Sequence, residues 1–193
     1  MTEHERKPEE NSSVAGKISS RRVYTGRVVS LDVDKVLFPN GTEGELEMIR
    51  HPGASAVVPL LDMPDGEMRV ILIRQYRYAA EGYVYEVPAG RLDEGESPEA
   101  CAHRELKEET GYSATRMIPL TTIFTTPGFT DEKIHLFLAT DLTPGQAKLE
   151  ADEVLDTHPV PLPEALEMIR SGVICDGKTI SALLFAARFS GIE

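Results

Sequence analysis

The sequence predicts helices layered on a sheet, an α/β or α+β fold, from two observations. Strand-like and helix-like segments follow one another in mixed order. The apolar share is also that of an ordinary globular chain, with 41% apolar and 27% charged residues in 193. That length supports one domain with a conventional core, or a domain carrying a smaller appendage.

Residues 1–20 are polar, rich in Glu, Lys and Ser, and lack a hydrophobic period, so they are expected to form a mobile tail. Over 22–51, short Val- and Leu-rich stretches are broken by Gly26 and by Pro39-Asn40-Gly41, which predicts a small antiparallel sheet. Such a unit buries little alone and is expected to pack on a neighbour or a second subunit. The apolar runs 54–61 and 68–76 flank Pro64-Asp65-Gly66, the chemistry of a hairpin turn, and 83–87 continues the strand pattern. Ser97-Pro98-Glu99 then opens a helix with a serine cap, proline at the first position and an acid in the first turn; Gly111 closes it. Strands are expected at 117–124 and 134–139, and helices at 163–170 and 179–188. The resulting division is a tail at 1–20, a β subdomain at 21–52 and a main domain at 53–193.

A formal charge of −12 argues against a surface that tracks nucleic acid or anionic lipid, both of which require a positive footprint. It also means that a phosphate substrate would have to be met by metal ions or local arginines. Cys101 and Cys175 form no close-spaced pair, so reduced thiols are expected rather than a zinc or redox motif. No apolar signal segment or membrane-length run occurs, and a cytoplasmic protein is the expectation.

Glu105, Glu108 and Glu109 fall within an arc of about 100° on a helix. They crowd one another in the last turns before Gly111, where the macrodipole disfavours each by roughly 0.3–1 kcal/mol. A bound hard cation resolves this conflict, since clustered carboxylates are its natural ligands. The plainer alternative is a solvated face, with Arg104 paired to Glu108 at i,i+4.

The surrounding residues favour the first reading. Gly90, Glu96, Arg104-Glu105-Leu106, Glu108-Glu109 and Gly111 stand at the spacing of the Nudix box. Eight fixed positions would coincide by chance in fewer than about one sequence in a million at average residue frequencies. The chain therefore resembles the Nudix hydrolases over roughly residues 22–190, departing at Tyr112, where the family usually has an aliphatic residue. Arg74-Gln75-Tyr76-Arg77 and Glu86-Val87-Pro88-Ala89-Gly90 resemble segments of its ADP-ribose pyrophosphatase subfamily. So does Pro127, fifteen residues after Tyr112, within Thr126-Pro127-Gly128-Phe129-Thr130-Asp131-Glu132.

The resemblance implies an α/β/α sandwich on a mixed sheet, with the N-terminal β subdomain shared across a homodimer. It implies hydrolysis of ADP-ribose, a small nucleoside diphosphate, to AMP and ribose 5-phosphate. Glu105, Glu108, Glu109 and the Ala89 carbonyl would hold two or three Mg²⁺ or Mn²⁺ ions, and Arg104 would pin the box through Glu96 or Glu105. Glu153, or else Glu150, would be the base for the attacking water. Arg77 would bind phosphate, Glu86 would hydrogen-bond the adenine or ribose, and Arg91 and Phe129 would complete the substrate-binding set. Alternatives are another nucleotide sugar or dinucleotide, such as a GDP-sugar or NADH, or a nucleotide-binding sensor without turnover.

His103, His135 and His158 lack metal-ligand spacing and read as structural. No Gly-x-Ser-x-Gly elbow occurs, so water is the better nucleophile. One further motif needs an answer: residues 172–179, Gly-Val-Ile-Cys-Asp-Gly-Lys-Thr, match the phosphate-binding loop of nucleoside triphosphatases. That loop works only between a strand and a helix, whereas helical spacing precedes this one, and Asp176 inside it would repel phosphate. Thr179 is expected to cap the last helix, with Gly177 making the turn.

Overall fold

The computed structural model describes residues 15–63, 66–149 and 154–191. The chain forms two compact units, one built from the residues up to His51 with Thr126–Asp131, the other from Pro52–Thr125 with Glu132–Glu193.

In the first unit, β1 (Gly16–Thr25), β2 (Ser30–Leu37) and β3 (Glu43–Arg50) pair antiparallel in sequence order. Gly26 ends β1 as expected, its N–H donating to the Val29 carbonyl at 2.9 Å. The turn between β2 and β3 is closed by Asn40, whose side chain accepts from the Thr42 N–H at 3.0 Å, and by Gly41 at φ +81°. Residues 126–131 run beside β3, with the Ile49 N–H donating to the Phe129 carbonyl at 2.8 Å and the Asp131 N–H to the Ile49 carbonyl at 3.3 Å. The expected tail over 1–20 extends too far, because Gly16–Ser20 lie in β1. Pairing with β2 orders these polar residues without a buried face, every position of β1 being exposed. Residues 1–14 lie outside the described set.

Among the described residues of this unit the buried side chains are polar, and ion pairs hold the two carboxylates among them. Asp32 and Asp34 on β2 are both buried. Arg50 on β3 pairs with Asp32 at 3.1 Å, with Asp34, and with Asp131 at 3.1 Å, while Arg22 on β1 also pairs with Asp32. Hydrogen bonds from Arg22, together with Arg50, hold the Asp32 carboxyl below its ordinary range.

The second unit carries a seven-stranded mixed sheet. Its main path runs β10 (Leu155–Pro161), β5 (Met68–Arg77), β4 (Ala54–Asp62), β9 (Lys133–Thr143), β8 (Ser113–Phe124), with β6 (Gly82–Glu86) on β5 and β7 (Ala89–Arg91) on β4. Only the β4–β9 pairing is parallel. The sheet lies between α1 (Pro98–Thr110) on one face and α2 (Leu162–Arg170) with α3 (Gly177–Phe189) on the other. Strand parity carries this layering. Ala56, Val58 and Leu60 of β4 and Leu136 and Leu138 of β9 pack with Ala165, Ala182, Leu183 and Ala186. The alternate residues Val57, Phe137 and Ala139 pack with Ala102 and Leu106 of α1, and Tyr112 covers this second cluster in place of the usual aliphatic residue.

Two strands escaped sequence reading. The pattern of β10 is interrupted by Pro159 and Pro161, which are tolerated because β10 is an edge strand pairing with β5 alone. At three residues, β7 is too short to show a period. The expected hairpin turn at Pro64-Asp65 lies outside the described residues; on either side of it the Met63 N–H donates to the Glu67 carbonyl at 3.0 Å. No helix among the described residues is long and apolar enough to cross a membrane.

Candidate active site

Helix α1 begins as its sequence dictates. Ser97 accepts from the Ala100 N–H at 3.2 Å, Pro98 occupies the first position, and the buried Ser55 hydroxyl of β4 donates to the Pro98 carbonyl at 2.7 Å. It ends at Gly111, φ +78°, where a Cβ would stand 2.8 Å from the Ala147 backbone nitrogen. The carbonyl of Glu108 accepts from the Lys148 N–H at 2.8 Å. The backbone of residues 145–148 is thus seated against the end of α1.

The helix buries two adjacent rows. Ala102 and Leu106 enter the core, whereas Cys101, Glu105 and Glu109, spaced four apart, lie along β7. The Cys101 thiol donates to the Gly90 carbonyl at 3.4 Å, and burial raises its pKa to about 11. Glu105, 8% exposed, fills the space left by the missing side chain of Gly90, where a Cβ would fall 1.8 Å from the carboxylate oxygen. Glu109, 2% exposed, accepts the Ala89 N–H at 2.9 Å.

Arg104 binds the box together more completely than either expected pairing alone. Its guanidinium donates to both Glu96 oxygens at 2.9 and 2.8 Å, to Glu105 at 2.6 Å, to Glu108 at 3.2 Å and to the Arg91 carbonyl at 3.0 Å. The paired guanidinium pulls Glu96 down to about 2. Both expected partners are engaged, and so is the i,i+4 pair of the surface reading. Among the described residues no group of three or more acidic, His or Cys side chains is arranged to hold a metal ion, and the Arg104 guanidinium stands among Glu96, Glu105 and Glu108. Glu105 and Glu109 are buried beside β7, while Glu108 stands at the rim, its side chain 37% exposed and drawn to Arg104.

A second group of charges lies at the ends of β5 and β6. Arg77 grips Glu86 with two hydrogen bonds of 2.8 Å, and Lys178 pairs with the same carboxylate and with Asp176 at 3.0 Å. Burial pushes the Glu86 carboxyl up, but Arg77 and Lys178 more than offset it, and the group stays below its ordinary range. Hydrogen bonding to Glu86 raises Arg77, and Glu109 and Asp176 add to the field around it. Glu86 is 2% exposed and committed to these cations, so the expectation that it meets adenine or ribose is not supported by its placement.

The octapeptide at 172–179 joins two helices, and so lacks the strand required of a phosphate loop. Asp176, not Thr179, caps α3, accepting from the Thr179 N–H at 2.9 Å. Thr179 is fully buried; its hydroxyl accepts the Val87 N–H at 2.9 Å and donates to Asp176 at 2.6 Å. These long-range partners had no local signal beyond the octapeptide itself.

Of the other expected site residues, Arg91 is exposed on β7. Phe129 is half exposed and belongs to the first unit, beside β3. Glu150 and Glu153 lie outside the described residues. His135 is shared with the Thr122 hydroxyl at 2.9 Å and His158 packs edge-on to Tyr85.

Residues 50–182 match the family model for the NUDIX domain. The chain is 39% identical over 170 residues to an ADP-ribose pyrophosphatase of Bacillus subtilis, covering 87% of this chain and 90% of that protein. It is 41% identical over 170 residues to a methanol dehydrogenase activator of Bacillus methanolicus, with the same coverage of 87% and 90%. Among solved structures, an ADP compounds hydrolase shares the fold at a TM-score of 0.78 and 24% identity, covering 94% of this chain and 96% of that one.

Proposed function

This chain belongs to the NUDIX family and is a hydrolase, and from that premise we propose that it cleaves the diphosphate of ADP-ribose. Water adds to one phosphorus, the bond from that phosphorus to the bridging oxygen breaks, and the products are AMP and ribose 5-phosphate. The observation that carries the reading is the row along β7, where two buried glutamates on successive turns of α1 lie against Gly90 and Ala89.

These residues fit hard divalent cations, because they offer carboxylate oxygens, and the missing side chain of Gly90 lets Glu105 bring its own against β7. Glu105, Glu108 and Glu109, with the Ala89 carbonyl, would hold two or three Mg²⁺ or Mn²⁺ ions, which when bound neutralise the diphosphate and acidify water. Arg104 fixes the rotamers of Glu96, Glu105 and Glu108. Arg77 supplies a positive group for phosphate, with Arg91 and Phe129 as further substrate contacts. Glu153, or else Glu150, takes the proton of the attacking water. The same reading makes the enzyme a cytoplasmic homodimer joined through β1–β3.

Two relatives of near-equal identity carry different names, so substrate profiling is the deciding experiment. Release of the two monophosphates is measured for each substrate, AMP and ribose 5-phosphate from ADP-ribose, GMP and a sugar 1-phosphate from a GDP-sugar, AMP and reduced nicotinamide mononucleotide from NADH, with added Mg²⁺ and with chelator. ADP-ribose should be turned over fastest and only with metal. Glu105→Gln with Glu109→Gln should lower turnover by more than about a hundredfold. Indifference to ADP-ribose, or unchanged turnover in the double variant, removes the proposal.

A further inference from the structure

Lys178 is oddly placed for a residue of helix stability alone. It occupies the first turn of α3, where the macrodipole is positive and an acid would be favoured. It is also largely withdrawn from water, its side chain 13% exposed. Its partner there is Glu86, a carboxylate sealed at 2% exposure and already held by the Nε and one terminal nitrogen of Arg77. One buried acid therefore has two cations, and one of its oxygens, Oε2, is shared between them.

The two cations differ in freedom. Arg77 is 42% exposed and stands in the field of Glu109, the buried end of the α1 row. Lys178 is tethered: Asp176 holds it at 3.0 Å and caps the helix, and the neighbouring Thr179 ties that cap to the Val87 N–H, one residue beyond Glu86. A buried carboxylate stripped of its partner is strongly disfavoured. With Lys178 in place, Arg77 can leave Glu86 without stranding it.

We propose that Lys178 is a positioning residue that releases Arg77 to the substrate: as Arg77 turns from Glu86 toward a diphosphate, Lys178 remains to neutralise the buried acid. The lysine of the phosphate-loop lookalike thus serves phosphate indirectly, through an arginine. This inference rests on the reading that Arg77 grips the diphosphate. Without Lys178, Arg77 is needed by Glu86, the fraction of protein able to bind is small, and apparent affinity falls by that fraction.

The test compares the parent protein with K178M, K178R, E86Q and the double variant E86Q/K178M. Hydrolysis of ADP-ribose is followed alongside calorimetric binding of inorganic diphosphate with Mg²⁺. K178M should raise KM and weaken diphosphate binding by about tenfold or more, with kcat changed by less than about threefold, and K178R should largely restore both. In the double variant no buried charge needs a partner, so E86Q/K178M should bind diphosphate as E86Q does. That second comparison decides the matter even if K178M fails to fold. Unchanged diphosphate affinity in K178M, with only a lower melting temperature, overturns the inference. So does a further loss on adding K178M to E86Q. A parent that binds diphosphate but leaves ADP-ribose intact removes the substrate reading and leaves the Arg77 release to be judged on binding; one that hydrolyses ADP-ribose but binds no diphosphate overturns the Arg77 release alone, and one that does neither overturns both.

Discussion

Each unit of this protein contains an arginine hydrogen-bonded to three carboxylates, yet the two arrangements differ in what they join. In the three-stranded unit Arg50 joins Asp32, Asp34 and Asp131, and Arg22 adds a second positive charge on Asp32. Its partners come from β2 and from the segment beside β3, so the pairing ties separate pieces of backbone together. In the other unit Arg104 joins Glu96, Glu105 and Glu108, two of them on its own helix, and Glu109 is buried one turn beyond Glu105. Here the pairing fixes side chains of one loop and one helix more than it joins strands. The first arrangement ties strands together, and the second orders the carboxylates that the proposed metal chemistry would use.

Three experiments break or sharpen that contrast. The largest effect is expected from Arg104→Met, which should lower kcat/KM by about 10–100-fold, the range for losing a group that orients metal ligands. If activity survives while the melting temperature collapses, the two clusters are alike and the contrast fails. A middle-sized effect is expected from Asp34→Asn, which should lower the thermal midpoint by several degrees and leave kcat/KM within about twofold of the parent. Lost turnover at unchanged stability would assign the first cluster to chemistry as well. The smallest effect concerns acid. Glu96 is depressed to about 2 from an ordinary value of 4.5, so its contribution to stability is complete above the upper value and is lost as the pH falls toward the lower. Glu96→Gln should therefore flatten that part of the acid-unfolding curve measured by circular dichroism, leaving the part due to Asp32 and Asp34. A curve that superimposes on the parent would show that Arg104 does not hold Glu96 in solution.

How much of this was legible beforehand depended on how local the signal was. The ends of α1 were readable because Ser97, Pro98 and Gly111 act on their own neighbours, and the box was readable because its members lie within one loop and one helix. β10 was hidden by two prolines that only its edge position allows. Thr179 has the residue type and place of a cap, but its hydroxyl accepts from the Val87 N–H, 92 residues away, which no local pattern shows. The same separation hid the pairing of Lys178 with Glu86. Burial of Glu105 and Glu109 beside β7, with Glu108 left at the rim, depended on which helix row meets a three-residue strand, a matter of tertiary packing that periodicity does not decide.

The alternation of side chains along β4 has a further consequence. Val57 and Val58 are adjacent in the chain and both inaccessible, but one supports the helix of glutamates and the other the helix that carries Lys178. A single peptide unit is thus a partition with a different tenant on each side. Trimming Val57 to alanine would loosen the floor beneath the acids, and trimming Val58 would disturb the lysine's seat. Two neighbouring codons therefore give separate mechanical access to the α1 row and to the helix of Lys178.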